Sequence, residues 1–80
     1  MPRRRYRNHL PTRPTWRCAA CGIAWPCSAA KLRLLGEYRH DRVALTVYLA
    51  TLQAEAGEHL TDIDPARLTE RFLAWTRARA

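Results

Sequence analysis

Three cysteines lie within ten residues of one another and are the side chains best suited to chemistry. They are Cys18, Cys21 and Cys27, with the spacing C-x2-C-x5-C, and Gly22 follows the second of them. A C-x-x-C turn lets two thiolates approach one metal ion, at about 2.3 Å each for zinc. Glycine after the second cysteine suits the left-handed backbone that such a turn often needs. The pattern predicts a metal-binding knuckle, and zinc is the expected metal.

A fourth ligand is needed, because three cysteines do not complete a tetrahedral structural site. The sequence offers three histidines: His9, His40 and His59. His9 precedes the cysteines along a proline-restricted segment that could fold back onto them, and we choose it as the ligand. His40, at the junction of the first two predicted helices, is the second choice. His59 is the most remote from the cluster in sequence.

Two other uses of the cysteines stay open at this stage. Free cysteine is commonly buried and behaves as a small apolar side chain, so the three thiols could simply belong to the core. A C-x-x-C pair can also be a redox site, but the strand and the βαβ pattern of a thioredoxin-like site are missing around Cys18 and Cys21. A metal site is favoured over both.

The positive charge of the chain is concentrated near its start. The chain has 14 Lys+Arg against 7 Asp+Glu, a net charge of +7. Within residues 1–17 there is no acidic residue, and the arginines there are Arg3, Arg4, Arg5, Arg7, Arg13 and Arg17. Arginine pairs with phosphate in a bidentate fork and can enter a minor groove. We therefore expect residues 1–15 to form a basic, proline-restricted extended arm that binds DNA or RNA; a merely solvated tail is the alternative.

The remaining residues, 16–80, are expected to form the knuckle and three helices. Ser28 could cap a first helix that runs to about Tyr38, with Leu32, Leu35 and either Tyr38 or Arg39 on its apolar face. Apart from a short hairpin around the cysteines, no β-strand is expected. The predicted fold is therefore mainly α: a small three-helix domain with an N-terminal metal-binding knuckle and a basic extended arm.

The second and third helices have clear start signals. Asp41 could cap the second helix, which Gly57 would end. Asp64 followed by Pro65 predicts the start of the third. The expected apolar stripes are Leu45, Tyr48, Leu49, Leu52 and Ala56 in the second helix, and Leu68, Phe72, Trp75 and Arg79 in the third. We expect Trp16 and Trp25, which flank the knuckle, to be core residues rather than platforms for base stacking.

The motif W-x-C-x2-C-G-x2-W-P-C over residues 16–27 resembles a group of short actinobacterial proteins of unestablished role. Residues 41–43, 48–50 and 71–77 extend the likeness to most of the domain. Some of these proteins carry a flavin reductase label. The residues here do not support that label, because there is no glycine-rich phosphate loop and three short helices cannot enclose a flavin and a nicotinamide.

The cysteine spacing is also similar to that of the WhiB-like regulators, which hold a [4Fe–4S] cluster and act with a sigma factor. Their fourth, upstream cysteine and their Gly-Trp-Gly-Gly-type turn are absent from this sequence. The resemblance implies a [4Fe–4S] cluster as the alternative cofactor and redox sensing as an alternative function.

Composition and length limit the remaining function classes. Eighty residues make one small domain, marginal without a metal, a disulfide or a partner. No catalytic constellation is visible, so we expect no enzyme activity. Without an apolar signal segment or a membrane span, the expected location is the cytoplasm. The expected function is a zinc-binding module of transcription regulation that binds nucleic acid. The alternative to nucleic-acid binding is an adaptor that contacts a protein partner, or a second copy, through helices 2 and 3.

Overall fold

Three helices follow the cysteine knuckle in this computed structural model, which describes residues 9–77. They are α1 (Ser28–Glu37), α2 (Arg42–His59) and α3 (Pro65–Leu73), and α3 continues into a 3₁₀ turn, Ala74–Thr76. The predicted mainly α, three-helix fold is confirmed. Among the residues described, no helix is both long and apolar enough to span a membrane.

The starts of α2 and α3 agree with the sequence prediction. The carboxylate of Asp41 accepts a hydrogen bond from the Ala44 N–H at 2.9 Å. The carboxylate of Asp64 accepts one from the Ala66 N–H at 3.0 Å, and Pro65 takes the first helical position, where its missing N–H costs nothing. Each cap satisfies a backbone donor that would otherwise lack a partner within the helix.

Two predicted helix boundaries are wrong. Ser28 is the first residue of α1 rather than its cap, because Cys27 occupies the cap position as the chain leaves the knuckle. Gly57 does not end α2, which continues to His59. A Cβ at Gly57 would meet a methyl group of Leu68 in α3 at 3.9 Å, so this glycine lies inside the helix, at a point where α2 faces α3.

The core lies between α2, α3 and the knuckle. Two tryptophans from the knuckle, Trp16 and Trp25, are 0% and 2% exposed. Their ring centroids lie 5.8 and 5.9 Å from that of Phe72 in α3, which is fully buried. Other buried apolar side chains of α2 and α3 are Leu45, Leu49, Leu52, Ala56 and Leu68. The tryptophans are therefore core residues, as expected, and are not available to stack on bases.

The predicted apolar face of α1 is confirmed at Leu35 and Tyr38 but is wrong at Leu32. Ala30 and Leu34 are its buried residues, whereas Leu32 is 70% exposed. Leu35 and Tyr38 pack against the edge of the core. The reason is that Cys27, at the start of α1, is fixed in the knuckle, and this turns the face that carries Ala30 and Leu34 inward.

Two described positions of the predicted α2 and α3 stripes are not fully buried in the core. Tyr48 is 37% exposed and stacks on Tyr38, with ring centroids 6.1 Å apart. Trp75 lies in the 3₁₀ turn and is half-buried. Arg79 lies outside the described residues.

Candidate metal centre

The turn that carries the first two cysteines is closed by backbone hydrogen bonds. The Gly22 N–H donates to the Cys18 carbonyl at 2.8 Å, and the Cys18 N–H donates to the Ile23 carbonyl at 2.7 Å. Gly22 has a φ of 76°, the left-handed conformation that the sequence predicted for this position. The backbone therefore folds tightly enough to present Cys18 and Cys21 to the same point.

The segment before the knuckle folds back onto it. The Ala19 N–H donates to the Leu10 carbonyl at 2.8 Å, and Pro11 forms an isolated β-bridge with Cys18. The buried indole N–H of Trp25 donates to the carbonyl of His9 at 2.8 Å. Residues 9–15 were predicted to be part of the extended arm, but His9, Leu10 and Pro11 contact the knuckle. These contacts bring His9 to the cysteines.

His9, Cys18, Cys21 and Cys27 form a single cluster. Their potential ligand atoms all lie within 4.8 Å of one another, and the four residues could hold a metal ion. The Nδ1 atom of His9 lies 3.3 Å from Cys18 Sγ, 3.8 Å from Cys21 Sγ and 3.4 Å from Cys27 Sγ. The structure therefore brings together the three predicted cysteines and the preferred histidine.

Four of the six distances among these atoms fit tetrahedral coordination of one small ion, and the two between Cys21 Sγ and the other sulfurs are at most 4.8 Å. With zinc–sulfur bonds of about 2.3 Å and a zinc–nitrogen bond of about 2.0–2.1 Å, tetrahedral angles place two sulfurs about 3.8 Å apart and sulfur and nitrogen about 3.5 Å apart. The sulfurs of Cys18 and Cys27 are 3.7 Å apart, and the three distances from His9 fall on either side of the second value. The donor set and its spacing both match a zinc site.

Backbone amides stabilise negative charge on Cys18. Burial raises the pKa of its thiol, but N–H groups of Cys21 and Ala20, each 3.4 Å from the sulfur, together with His9, outweigh burial and lower the pKa to about 6. The hydrogen bond from Cys21 to Cys18 raises the pKa of Cys21 to about 11, since a second thiolate would form beside the first. A metal cation at the centre would offset the repulsion between the two thiolates and would lower the pKa of both thiols.

The three sulfurs differ in their access to solvent. Cys18 and Cys27 are 2% and 3% exposed, whereas Cys21 is classed as exposed. Cys27 also sits at the N-terminal end of α1, where the helix dipole favours a thiolate. The site therefore has a buried side, formed by two cysteines, and an open side at Cys21.

Arg71 links this site to α3, a role that was not predicted from the sequence. Its guanidinium donates to the carbonyl of Trp25 at 2.7 Å and to the carbonyl of Trp16 at 2.8 Å. Burial lowers the pKa of Arg71. One feature of the sequence could have indicated this role. Arg71 follows Leu68 by three residues and precedes Trp75 by four, so it lies on the same face of α3 as the predicted apolar stripe.

The other two histidines lie outside the cluster. His59, at the end of α2, accepts a hydrogen bond at its Nδ1 from the indole N–H of Trp16, 3.0 Å away. His40, the second choice as fourth ligand, lies beside Arg39, whose Nε is 3.3 Å from its Nε2. His59 therefore supports the core beneath the knuckle, and His40 is not brought to the metal site.

The arginines proposed to bind nucleic acid fall into two groups. Arg3, Arg4, Arg5 and Arg7 lie outside the described residues. Arg13 pairs with Glu55 of α2 through two hydrogen bonds of 2.7 and 3.0 Å and lies over the Trp16 ring. That hydrogen bond lowers the pKa of the Glu55 carboxyl. Arg17 donates to the Gly22 carbonyl at 3.0 Å, so both described arginines brace the knuckle.

Comparison of the chain with protein-family models, with curated proteins and with solved structures finds no match.

Proposed function

We propose that this protein is a zinc-stabilised module of transcription regulation that binds DNA or RNA through its arginine arm. The observation that carries the proposal is the position of His9. This residue completes the candidate metal site, and Arg7 precedes it by only two positions. The arginine-rich segment is thus attached to the domain at the metal centre itself.

Zinc is proposed because four protein ligands of the Cys₃His type suit a tetrahedral structural site. The spacing of the ligand atoms, all within 4.8 Å, supports a single ion. A [4Fe–4S] cluster binds each ligand to a different iron and needs its ligands farther apart. We also propose a structural rather than catalytic role for the metal, because four protein ligands leave no position for a reactive water.

The arm is proposed to bind phosphate rather than to read bases. Arg3, Arg4, Arg5 and Arg7 add four positive charges within five residues, with no acid among residues 1–17 to offset them. Binding through phosphates releases counterions and therefore weakens steeply with salt. The folded domain would hold the arm in place at His9, the root of the arm, while the arginines contact the phosphates.

The test is fluorescence anisotropy of a labelled mixed-sequence DNA duplex and of a single-stranded RNA across a range of salt concentrations. In the variant with Arg3, Arg4, Arg5 and Arg7 replaced by glutamine, the slope of log K against log salt should become shallower by about 3 to 4 for duplex DNA. Deleting residues 1–8 should abolish salt-sensitive binding to both.

A matched control removes four positive charges from the helices and from the turn after α1 instead. The residues replaced by glutamine are Lys31, Arg33, Arg39 and Arg67. This control should retain most of the affinity. Equal loss in the two variants, or no binding by the intact protein, would show that the arm is not a nucleic-acid ligand.

A second candidate function is a protein adaptor, favoured by apolar side chains that the fold leaves exposed. Val43 and Val47 of α2 are 74% and 60% exposed, and Leu32 of α1 is 70% exposed. Leu32, Leu35 and Trp75 also line a groove of about 330 Å³. Light scattering tests this function in its homodimer form. A concentration-dependent dimer that the Val43→Ser, Val47→Ser double variant abolishes would support it, and a strict monomer at all concentrations would count against it.

A further inference from the structure

We propose that Cys21 is a site of oxidative modification, and that its reaction with a peroxide forms a disulfide with Cys18 and releases the metal. The inference rests on the proposed zinc site and adds regulation of that site by an oxidant. Its starting point is the unequal access to the three sulfurs. Cys21 is exposed, while Cys18 and Cys27 are 2% and 3% exposed. A small oxidant from solvent therefore meets the Cys21 sulfur first.

Cys18 is the thiolate positioned to resolve the oxidised Cys21. The two residues share the C-x-x-C turn, and their sulfurs lie within the 4.8 Å cluster. The backbone N–H of Cys21 also donates to the sulfur of Cys18 at 3.4 Å, which holds that sulfur against the same turn. A C-x-x-C turn can close into a disulfide without moving distant parts of the chain.

The reaction balances with one peroxide. In the zinc-loaded protein Cys21 would be a thiolate, because metal ligands are deprotonated. This thiolate attacks one oxygen of hydrogen peroxide, the O–O bond breaks and hydroxide leaves, which gives a sulfenic acid. The Cys18 thiolate then attacks the Cys21 sulfur, an S–S bond forms and a second hydroxide leaves. The two sulfurs together lose two electrons to the peroxide, and two protons from solvent convert the two hydroxides to water.

The disulfide leaves only two ligands for the metal, Cys27 and His9. Two ligands do not hold zinc in a structural site, so the ion dissociates. His9 then loses its bond to the metal and keeps only the hydrogen bond that its carbonyl accepts from Trp25. The domain also loses the folding energy that the metal supplies. Peroxide would in this way control the anchoring of the arm.

The experiment treats the zinc-loaded, full-length protein with hydrogen peroxide and follows zinc release with a chromogenic chelator. Samples are quenched with N-ethylmaleimide and mapped by mass spectrometry. We expect one zinc released per peroxide consumed, a Cys18–Cys21 disulfide that forms with the same time course, and N-ethylmaleimide on Cys27. With dimedone present during oxidation, the adduct should appear on Cys21. Reductant and added zinc should restore the starting protein.

A dimedone adduct first on Cys27 or Cys18, a Cys18–Cys27 disulfide, or zinc release with all three thiols still free would overturn the proposal. A zinc protein that peroxide leaves unchanged would also overturn it. These results differ from failure of the proposed function, in which the purified protein holds no zinc or its arm binds no nucleic acid. A zinc-loaded protein that binds nucleic acid and resists peroxide would refute the modification site alone.

Discussion

The guanidinium of Arg71 donates a 2.8 Å hydrogen bond to the carbonyl oxygen of Trp16, 55 positions earlier in the sequence. Trp16 has a φ of 55°, a left-handed conformation that costs a bulky residue roughly 1–2 kcal/mol. Such a conformation persists where its surroundings hold it. Here the holding contacts are the bond from Arg71, the bond from the indole to His59 and complete burial of the side chain. The knuckle is thus fixed by contacts with Arg71 of α3 and His59 of α2.

Replacing Arg71 with methionine should destabilise the domain. The carbonyl oxygens of Trp16 and Trp25 lose their charged donor, at a cost of about 1–3 kcal/mol. Urea unfolding of the zinc-loaded protein measures this loss. The control is Arg67→Met, an exposed arginine one turn earlier in α3, which should change the unfolding free energy by less than about 0.5 kcal/mol. Equal effects of the two changes would contradict the bracing role of Arg71.

Replacing His59 with alanine should lower stability but leave the metal in place. The change removes the acceptor for the Trp16 indole N–H, and one hydrogen bond contributes about 0.5–1.5 kcal/mol. Zinc content by elemental analysis should equal that of the wild type, because His59 lies outside the cluster. His40→Ala is the control and should alter neither quantity. Loss of zinc from either variant would show that the fourth ligand has been misassigned.

Replacing Gly22 with alanine should weaken the knuckle through backbone strain. A Cβ there would meet no atom within 4 Å, so crowding is not the cause. The φ of 76° costs a residue with a Cβ roughly 1–2 kcal/mol. Gly22→Asn is the matched variant, since asparagine tolerates this conformation better. Thermal unfolding should rank the proteins as wild type, then asparagine, then alanine; the reverse order of the two variants would refute the explanation.

Replacing Asp41 with alanine should destabilise α2 by about 1 kcal/mol, because the Ala44 N–H loses its capping carboxylate. The loss is measurable by urea unfolding followed by helical circular dichroism. Asp62→Ala removes the same charge from the loop between α2 and α3. That control should have a much smaller effect, and comparable losses would mean that charge rather than capping is responsible.

Residue spacing carried much of the information about the site and the helix starts. The three cysteines and Gly22 were predicted as one knuckle because cysteines at this short spacing are typical of a metal site. His9 was the preferred one of three histidines because the chain before the cysteines could fold back onto them. The caps Asp41 and Asp64 were predicted for a similar reason, since capping depends on a few adjacent residues. These features could be predicted because each depends on residues that lie close together in the sequence.

The features that sequence reasoning missed depend on packing between distant segments. Leu32 was expected to be buried, but α1 is oriented by Cys27 in the knuckle, and a helical pattern alone does not reveal this. Gly57 was expected to end α2, but it lies within the helix, close to Leu68. The bridge from Arg71 to the carbonyls of Trp16 and Trp25 joins residues 46 and 55 positions apart, and no short motif encodes it.

We propose that His9 completes a zinc site on which the fold depends. The decisive experiment is elemental analysis with native mass spectrometry, on wild-type protein and His9→Ala purified without oxygen. We predict one zinc per wild-type chain, markedly less in the variant, and loss of the helical circular-dichroism signal when a chelator removes the metal. Iron with visible absorbance in the wild type, full zinc content in His9→Ala, or an intact helical signal after chelation would contradict the claim.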